Sequence, residues 1–307
     1  MNKVSVVTVN FNQPAVTEEL LQSLSTHNHY LDTEIIVVDN GSTNNPVPVW
    51  TTKFPTIKFI RSDVNLGFAG GNNLGINKAD GDYIFLVNND TEITEGLLDE
   101  LATILDQNPD VGMVSPKIIF YQQPNTLQYV GFTPMNFFTA RNKCIGYMEQ
   151  DNGQYDGLTG ETGFIHGAAM MVRKTAIEKA GLMPENFFLY YEEMDWCQRV
   201  KEAGYKIWVQ PKAKIYHKES ISVGAKSALK EFFMNRNRIL FIRRNAPFMA
   251  RLIFYFHFGL LVAPRNIIAY LKDGRTDLLA QLLRAIWWNI THKKDSTDLG
   301  YPIQKLS

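Results

Sequence analysis

Three stretches of short polar side chains stand directly behind apolar runs: Asn10-Phe11-Asn12, Asp39-Asn40-Gly41-Ser42 and Asn88-Asn89-Asp90. Their amide and carboxylate oxygens can hydrogen-bond a polar ligand or bind a hard cation, and three such ends on one rim would make a site. Taken singly, each also fits a turn or helix cap, which use the same Asp, Asn, Gly and Ser residues. A glycine-rich stretch, Asn65-Leu66-Gly67-Phe68-Ala69-Gly70-Gly71-Asn72-Asn73, follows a further apolar run. Its glycines let backbone approach a ligand closely, and the helix it opens favours an anion or an electron-rich sugar at its N-terminus. The turn after the first run reads Asn10-Phe11-Asn12-Gln13-Pro14 and contains no GxGxxG, which argues against a dinucleotide-binding dehydrogenase.

The elements that must position these residues are strands and helices in alternation. Apolar runs predict strands at Val4 to Val9, Glu34 to Val38, Ile57 to Arg61, Tyr83 to Val87 and Gly112 to Ile119, with helical patterns between them. That alternation implies an α/β fold with a mainly parallel sheet and helices on both faces, and ligands in such sheets bind beyond the strands' carboxyl ends. One helix is predicted from an N-cap at Thr94 through Leu97, Leu98, Leu101, Ile104 and Leu105. Residues 120–163 lose periodicity and read as loops over one sheet edge. Beyond them come a strand at Gly167 to Val172, helices at Thr175 to Ala180 and Glu192 to Ala203, and strands at Lys206 to Val209 and Lys214 to Tyr216. Everything after Ser227 reads as helical.

Charge is balanced, 31 basic against 31 acidic residues, so no global field recruits nucleic acid and an anionic ligand must be met locally. Cys144 and Cys197 are too few for a disulfide framework and favour a reducing compartment. The apolar run Val4 to Val9 is too short for a signal peptide. No window supplies the roughly 18 uncharged apolar residues of a spanning helix. The nearest, Phe248 to Ala263, carries Arg251 and His257 and is bounded by Pro264.

The ordered series Val4 to Asn12, Ile36 to Ser42, Asn65 to Gly75 and Phe85 to Asp90 resembles the successive motifs of family 2 glycosyltransferases, especially their rhamnosyltransferase-like branch. The resemblance runs over about residues 3 to 245 and implies a GT-A fold, with residues 1–226 as the nucleotide-sugar-binding and catalytic domain. It implies that backbone at Thr8, Val9 and Asn10 meets the donor's base, that Phe11 lies against its face, and that Asp39 accepts its imide N–H. Asn65, Gly67 and Asn72 in the glycine-rich loop, with Asn88, would also contact the donor. Asp90 would hold a divalent cation, Mg2+ or Mn2+, on the diphosphate; Asn88 stands where the family commonly has the first Asp of Asp-x-Asp.

Phe187 to Arg199 resembles the family's acidic segment and places Glu193 where the family keeps its general base, with Asp195 a lesser candidate. Inverting transfer needs a carboxylate that takes the acceptor hydroxyl's proton, and a helix N-terminus helps to keep a carboxylate ionised. An acid there can equally decorate a first helical turn. His217 resembles a family position that helps to bind metal or diphosphate. Gly167-Ala168-Ala169-Met170-Met171 resembles the loop beneath an acceptor sugar and fits ordinary strand packing equally well.

Residues 227–307 would close over the site, and the arginine-rich Phe232 to Arg244 would face diphosphate or a lipid phosphate. Phe248 to Trp288 mixes apolar and basic residues, which suits helices at a membrane interface, packed on the domain or in a homodimer. The resemblance implies transfer of a sugar, L-rhamnose from dTDP-L-rhamnose being favoured, to a hydroxyl of a surface glycan or lipid-linked glycan, in a bacterial cytoplasm and peripheral on the inner membrane face. A UDP-hexose donor and an inactive nucleotide-sugar-binding protein are the alternatives.

Overall fold

The computed structural model describes residues 2–30, 32–218 and 227–302. The first part alternates β1 (Val4–Asn10), α1 (Pro14–His27), β2 (Thr33–Asn40), α2 (Val47–Lys53), β3 (Lys58–Ser62), α3 (Gly67–Ile76) and β4 (Tyr83–Val87). Then come β5 (Thr91–Ile93), α4 (Leu97–Gln107), β6 (Val111–Phe120), β7 (Leu127–Tyr129), β8 (Gly160–Glu161), β9 (Ala169–Arg173), α5 (Lys174–Ala180), α6 (Glu192–Glu202) and β10 (Lys206–His217). Four helices follow: α7 (Ala228–Asn245), α8 (Phe248–His257), α9 (Ala263–Lys272) and α10 (Thr276–Thr291).

The sheet runs β3-β2-β1-β4-β9-β6-β10-β5, with β7 beside β6 and β8 beside β10. The half β3-β2-β1-β4 is parallel, as expected, but β9 lies antiparallel between β4 and β6, so the whole sheet is mixed. The reason is connectivity. The segment 121–168 runs down through β7 and β8 and returns to the carboxyl rim, where the Ala168 carbonyl accepts from the Asn88 N–H at 2.9 Å, so the strand that follows runs back down. This reversal puts the turn before β9 on the same rim as the ends of β1, β2 and β4.

Alternate strand residues face two layers of core, as the period of two requires. Val4, Val6, Val37 and Phe85 pack with Leu20, Leu24, Trp50 and Leu101 from α1, α2 and α4. Val7, Ile36, Ile84 and Leu86 face Ala69, Ile177, Trp196 and Leu240 from α3, α5, α6 and α7. The last of these helices shares the main core, so the C-terminal helices are built onto the sheet domain. The expected boundary at 226 falls in 219–226, outside the described residues.

Three local expectations change. Thr94 does not cap α4: its hydroxyl donates to the Lys214 carbonyl at 2.8 Å, and Gly96, at φ 74°, starts the helix instead. The two short strands after residue 205 are one strand, β10, whose register against β6 shifts between Gln210 and Lys214. Pro211, which has no N–H to give the ladder, sits in that irregularity. Finally, Pro264 does not end the apolar helix. α8 and α9 are joined by one π turn, Phe258–Val262, giving a continuous helix Phe248–Lys272. The turn has already replaced the i→i−4 bonds that a proline would break. This 25-residue helix is long and apolar enough to cross a membrane by length and composition, although Arg251 and Arg265 leave it no 18-residue stretch free of charge, as the sequence indicated. In the fold it lies along the protein: Ala250, Phe254, Phe258 and Val262, every fourth residue, are buried.

Candidate active site

A cavity of about 500 Å³ opens at the carboxyl rim of β1, β2 and β4. Val9, Phe11, Asn65, Gly67, Asn72, Asn88 and Asp90 line it, all expected from sequence. Asn40 and Asn89, from the polar strand ends, also line it, as do Phe68, Phe188 and Leu189, to which sequence reasoning assigned no individual role.

The remaining rim residues lie beneath the wall. Thr8, Asn10 and Asp39 are fully buried and do not line the cavity. Asn10 Nδ2 donates to Asp39 Oδ1 at 2.8 Å and to Ser42 Oγ at 3.0 Å, while its Oδ1 accepts from Thr17 Oγ1 at 3.0 Å. Asp39 also accepts from Ser42 Oγ and is paired with the Arg61 guanidinium. Its carboxylate is thus occupied by its own chain, so Asp39 tethers the first two strand ends together and offers the cavity no acceptor as it stands. Burial was the missing information: polarity at a strand end does not say whether the side chain points to ligand or to a neighbouring loop.

Asn40 holds the glycine-rich loop. Its Oδ1 accepts from Leu66 N–H at 3.0 Å and its Nδ2 donates to the Gly67 carbonyl at 3.0 Å. Gly67 is at φ +73°, and a Cβ there would lie 2.4 Å from the Phe188 carbonyl oxygen. The neighbouring Phe68 N–H donates to that same carbonyl at 2.9 Å. A Gly67→Ala variant is therefore expected to lose about 2 kcal/mol or more of stability and to open this cavity, because both the left-handed backbone and the clash oppose it. Denaturant unfolding and nucleotide titration check this.

The wall from Phe188 leads into the acidic helix. Phe188, Tyr190 and Tyr191 all have positive φ, at 66°, 69° and 73°, a concentration of backbone strain of the kind found at functional sites. Asn237 on α7 holds the strained turn, its Nδ2 donating to the carbonyls of Phe187, Leu189 and Tyr190 at 2.9, 2.7 and 2.8 Å. Arg236 beside it is fully buried, donates to the Asn186 carbonyl at 2.8 Å and lies 3.9 Å over the Trp288 ring. The arginine-rich helix is thus partly structural where sequence suggested phosphate contacts.

Glu192 and Glu193 open α6. Burial pushes the Glu193 carboxyl up to about 7, against the lowering effect of the backbone N–H groups of Glu193 and Met194. The same burial, with the adjacent Glu193 charge, raises Glu192 further. Desolvation therefore outweighs the helix terminus that was expected to keep the base ionised. Asp195 is no candidate base: it is fully buried and bound by Arg244 Nε at 2.8 Å, Asn245 Nδ2 at 2.8 Å and Arg199 Nε at 3.3 Å. Those contacts fasten α6 to α7.

The turn before β9 borders both Glu193 and the surroundings of Asp90. A Cβ on Gly167 would lie 3.7 Å from Phe68 Cζ and 3.9 Å from Glu193 Cγ, so Glu193 stands beside a residue of the cavity wall. Next to Gly167, the half-buried His166 ring meets His217 edge-on at 6.0 Å between centroids. The Ala168 carbonyl accepts from the Asn88 N–H at 2.9 Å. His166 was missed in the sequence; its only signal was adjacency to the small-residue run that begins at Gly167.

His217 Nδ1 donates to Gln128 Oε1 at 2.8 Å, which turns Nε2 towards Asp90 Oδ1, 3.2 Å away. Two ligands about 2.1 Å from one octahedral cation and at right angles are about 3.0 Å apart, so the pair has the spacing of adjacent metal ligands. An imidazole oriented by an amide oxygen is also how metal-bound histidines are held. Among the described residues no third His, Cys, Asp or Glu joins them, which suits a cation completed by phosphate oxygens and water.

The sheet topology and the rim cavity are those of an α/β protein of the GT-A fold. The chain belongs to glycosyltransferase family 2: the family model, Glycosyl transferase family 2, matches residues 5–181, more than half of its length. It is 24% identical over 291 residues to the low-salt glycan biosynthesis hexosyltransferase Agl10 of Haloferax volcanii, covering 91% of this chain and 88% of that protein. It is also 24% identical to an N-acetylglucosaminyl-diphospho-decaprenol L-rhamnosyltransferase of Mycobacterium tuberculosis, covering 71% of this chain and 77% of the relative. The fold matches the mannosyltransferase PcManGT of Pyrobaculum calidifontis, solved with GDP-Man and Mn2+, at TM-score 0.57 and 15% identity over 94% of this chain and 87% of that one.

Proposed function

We propose that the protein transfers a sugar from a nucleoside-diphosphate donor to a glycan hydroxyl with inversion, acting in surface-glycan biosynthesis. The observation that carries this is the convergence, at one rim, of a roughly 500 Å³ cavity, the Asp90–His217 pair and the half-buried Glu193 beside Gly167. The donor's base lies against Phe11 between Val9 and the Asn40-clamped loop. The donor sugar and diphosphate extend past Asn88 and Asp90 towards Glu193.

Asp90 and His217 would hold Mg2+ or Mn2+, which when bound supplies a Lewis acid for the departing diphosphate. The Mn2+ in the mannosyltransferase neighbour supports that assignment. Glu193 takes the proton of the acceptor hydroxyl as its oxygen attacks the anomeric carbon on the face opposite the leaving group. Its raised pKa makes it a matched base near neutral pH and a poor one in acid. Phe68 and Phe188 exclude water from the reacting carbon.

The rhamnosyltransferase relative favours dTDP-L-rhamnose as donor, and the hexosyltransferase relative supports a UDP-hexose as the second reading. A panel of donors, scored by released nucleoside diphosphate, separates them: turnover is expected with dTDP-L-rhamnose, and turnover confined to UDP-hexoses selects the second. The free thiols Cys144 and Cys197 and the apolar helix Phe248–Lys272 support a cytoplasmic protein peripheral to the membrane.

A further inference from the structure

Away from the donor cavity, three arginines from three separate elements converge. Arg141 comes from the loop after β7, Arg238 from α7 and Arg265 from α9. Arg141 and Arg265 line a second cavity of about 270 Å³ with Thr139, His257, Leu261 and Val262. Arg238 borders it, donating to the Thr139 carbonyl while its guanidinium lies 5.8 Å from the Phe258 ring and 5.9 Å from that of Phe254. Among the described residues none of the three makes an ion pair with a carboxylate. Arg265 is hydrogen-bonded to Asn266, and Arg238 keeps a buried Nε–H without an acceptor. Burial lowers the Arg238 pKa, and the fields of Arg141 and Arg265 lower it further. In a chain whose charges balance, three like charges gathered without a counter-ion oppose folding, and a bound anion would relieve that opposition.

The surroundings say which anion. Leu261, on the cavity wall, is 62% exposed, and beside it on the same helix Leu260 and Phe256 are 69% and 68% exposed. Residues 248–294 carry seven Lys or Arg against two Asp, an apolar and basic surface of the kind that lies in an anionic membrane interface. On the other side Tyr191, next to the base helix, stands within the fields of Arg238, Arg141 and Glu193. The cationic cavity thus lies between the exposed apolar face of the Phe248–Lys272 helix and the proposed base.

We propose that Arg141, Arg238 and Arg265 form a second anion site that takes the phosphate of a lipid-borne acceptor, with the Phe248–Lys272 helix laid in the membrane surface beside it. This rests on the transferase reading and adds the chemical class of the acceptor: a sugar joined to a phosphate that is anchored in lipid. The guanidinium groups hold the phosphate, the apolar face holds the chain, and the sugar hydroxyl is left near Glu193.

The test is co-sedimentation of the full chain with phosphatidylcholine vesicles, alone, carrying polyprenyl phosphate, or carrying phosphatidylglycerol at equal charge. Binding is expected to the polyprenyl phosphate vesicles, to be displaced by inorganic pyrophosphate, and to weaken at least about tenfold in the R141Q/R265Q double variant. Both side chains are exposed, so the variant is expected to melt with the parent. Equal binding by the variant overturns the site, and equal binding to phosphatidylglycerol vesicles overturns the lipid-borne phosphate as its ligand. Titration of the unaltered protein with nucleotide sugars independently reports failure of the transferase reading.

Discussion

Glu193→Gln lowers kcat by about three orders of magnitude while donor affinity stays within about a factor of three, as removal of a general base does. The amide keeps the shape and loses only the proton acceptor, so steady-state kinetics with the acceptor present separate catalysis from binding. In the parent protein kcat rises with pH through about 7 and then levels, because burial has raised the carboxyl that must be ionised. The residual activity of the variant lacks that inflection. Stability moves the other way. A carboxyl raised from 4.5 to about 7 binds more protons folded than unfolded, so its contribution is fully present below pH 4.5 and is lost as pH rises through 7. Thermal melting should therefore find the variant more stable than the parent at pH 8, with the difference closing towards pH 4.

Asp90→Asn removes the anionic oxygen of the Asp90–His217 pair and is expected to weaken Mn2+ binding, followed by electron paramagnetic resonance in the presence of nucleoside diphosphate, by at least about a hundredfold. Turnover falls in parallel, and the loss is one of charge, since Asn is nearly isosteric and Asp90 is buried. Asn88 already contributes an amide at the other end of this short turn. A second amide leaves the site without a carboxylate for the cation, and His217 with Gln128 cannot replace it.

The parts of this site carried by local pattern were legible in the sequence. Asn88 and Asp90 follow five buried residues of β4, and the switch from apolar to polar marks the rim wherever a parallel strand ends. The glycine-rich loop announced its close approaches, and Gly67 meets one at Phe188. What the pattern could not carry was direction and burial. Nothing in Ala169 to Arg173 distinguishes a strand running up from one running down, yet its reversal brings His166 and Gly167 beside His217 and Glu193. Asp39 and Asp195 look as available as Asp90 in a linear string, and both prove to be buried and claimed by arginines from other elements. The run past Pro264 depended on a π turn with no sequence signature. The gathering of Arg141, Arg238 and Arg265 depended on three elements meeting, and isolated arginines in a mixed sequence give no warning of that.

Everything in the proposed chemistry turns on a phosphate-bound cation held between β4 and β10, within reach of a sugar presented to α6. Anomalous scattering from crystals grown with Mn2+ and a non-hydrolysable nucleotide sugar tests this most directly. The account predicts a single manganese about 2.1 Å from Asp90 Oδ and His217 Nε2, with the anomeric carbon of the sugar facing Glu193. Manganese at another site, or a sugar whose anomeric carbon points away from Glu193, would contradict it.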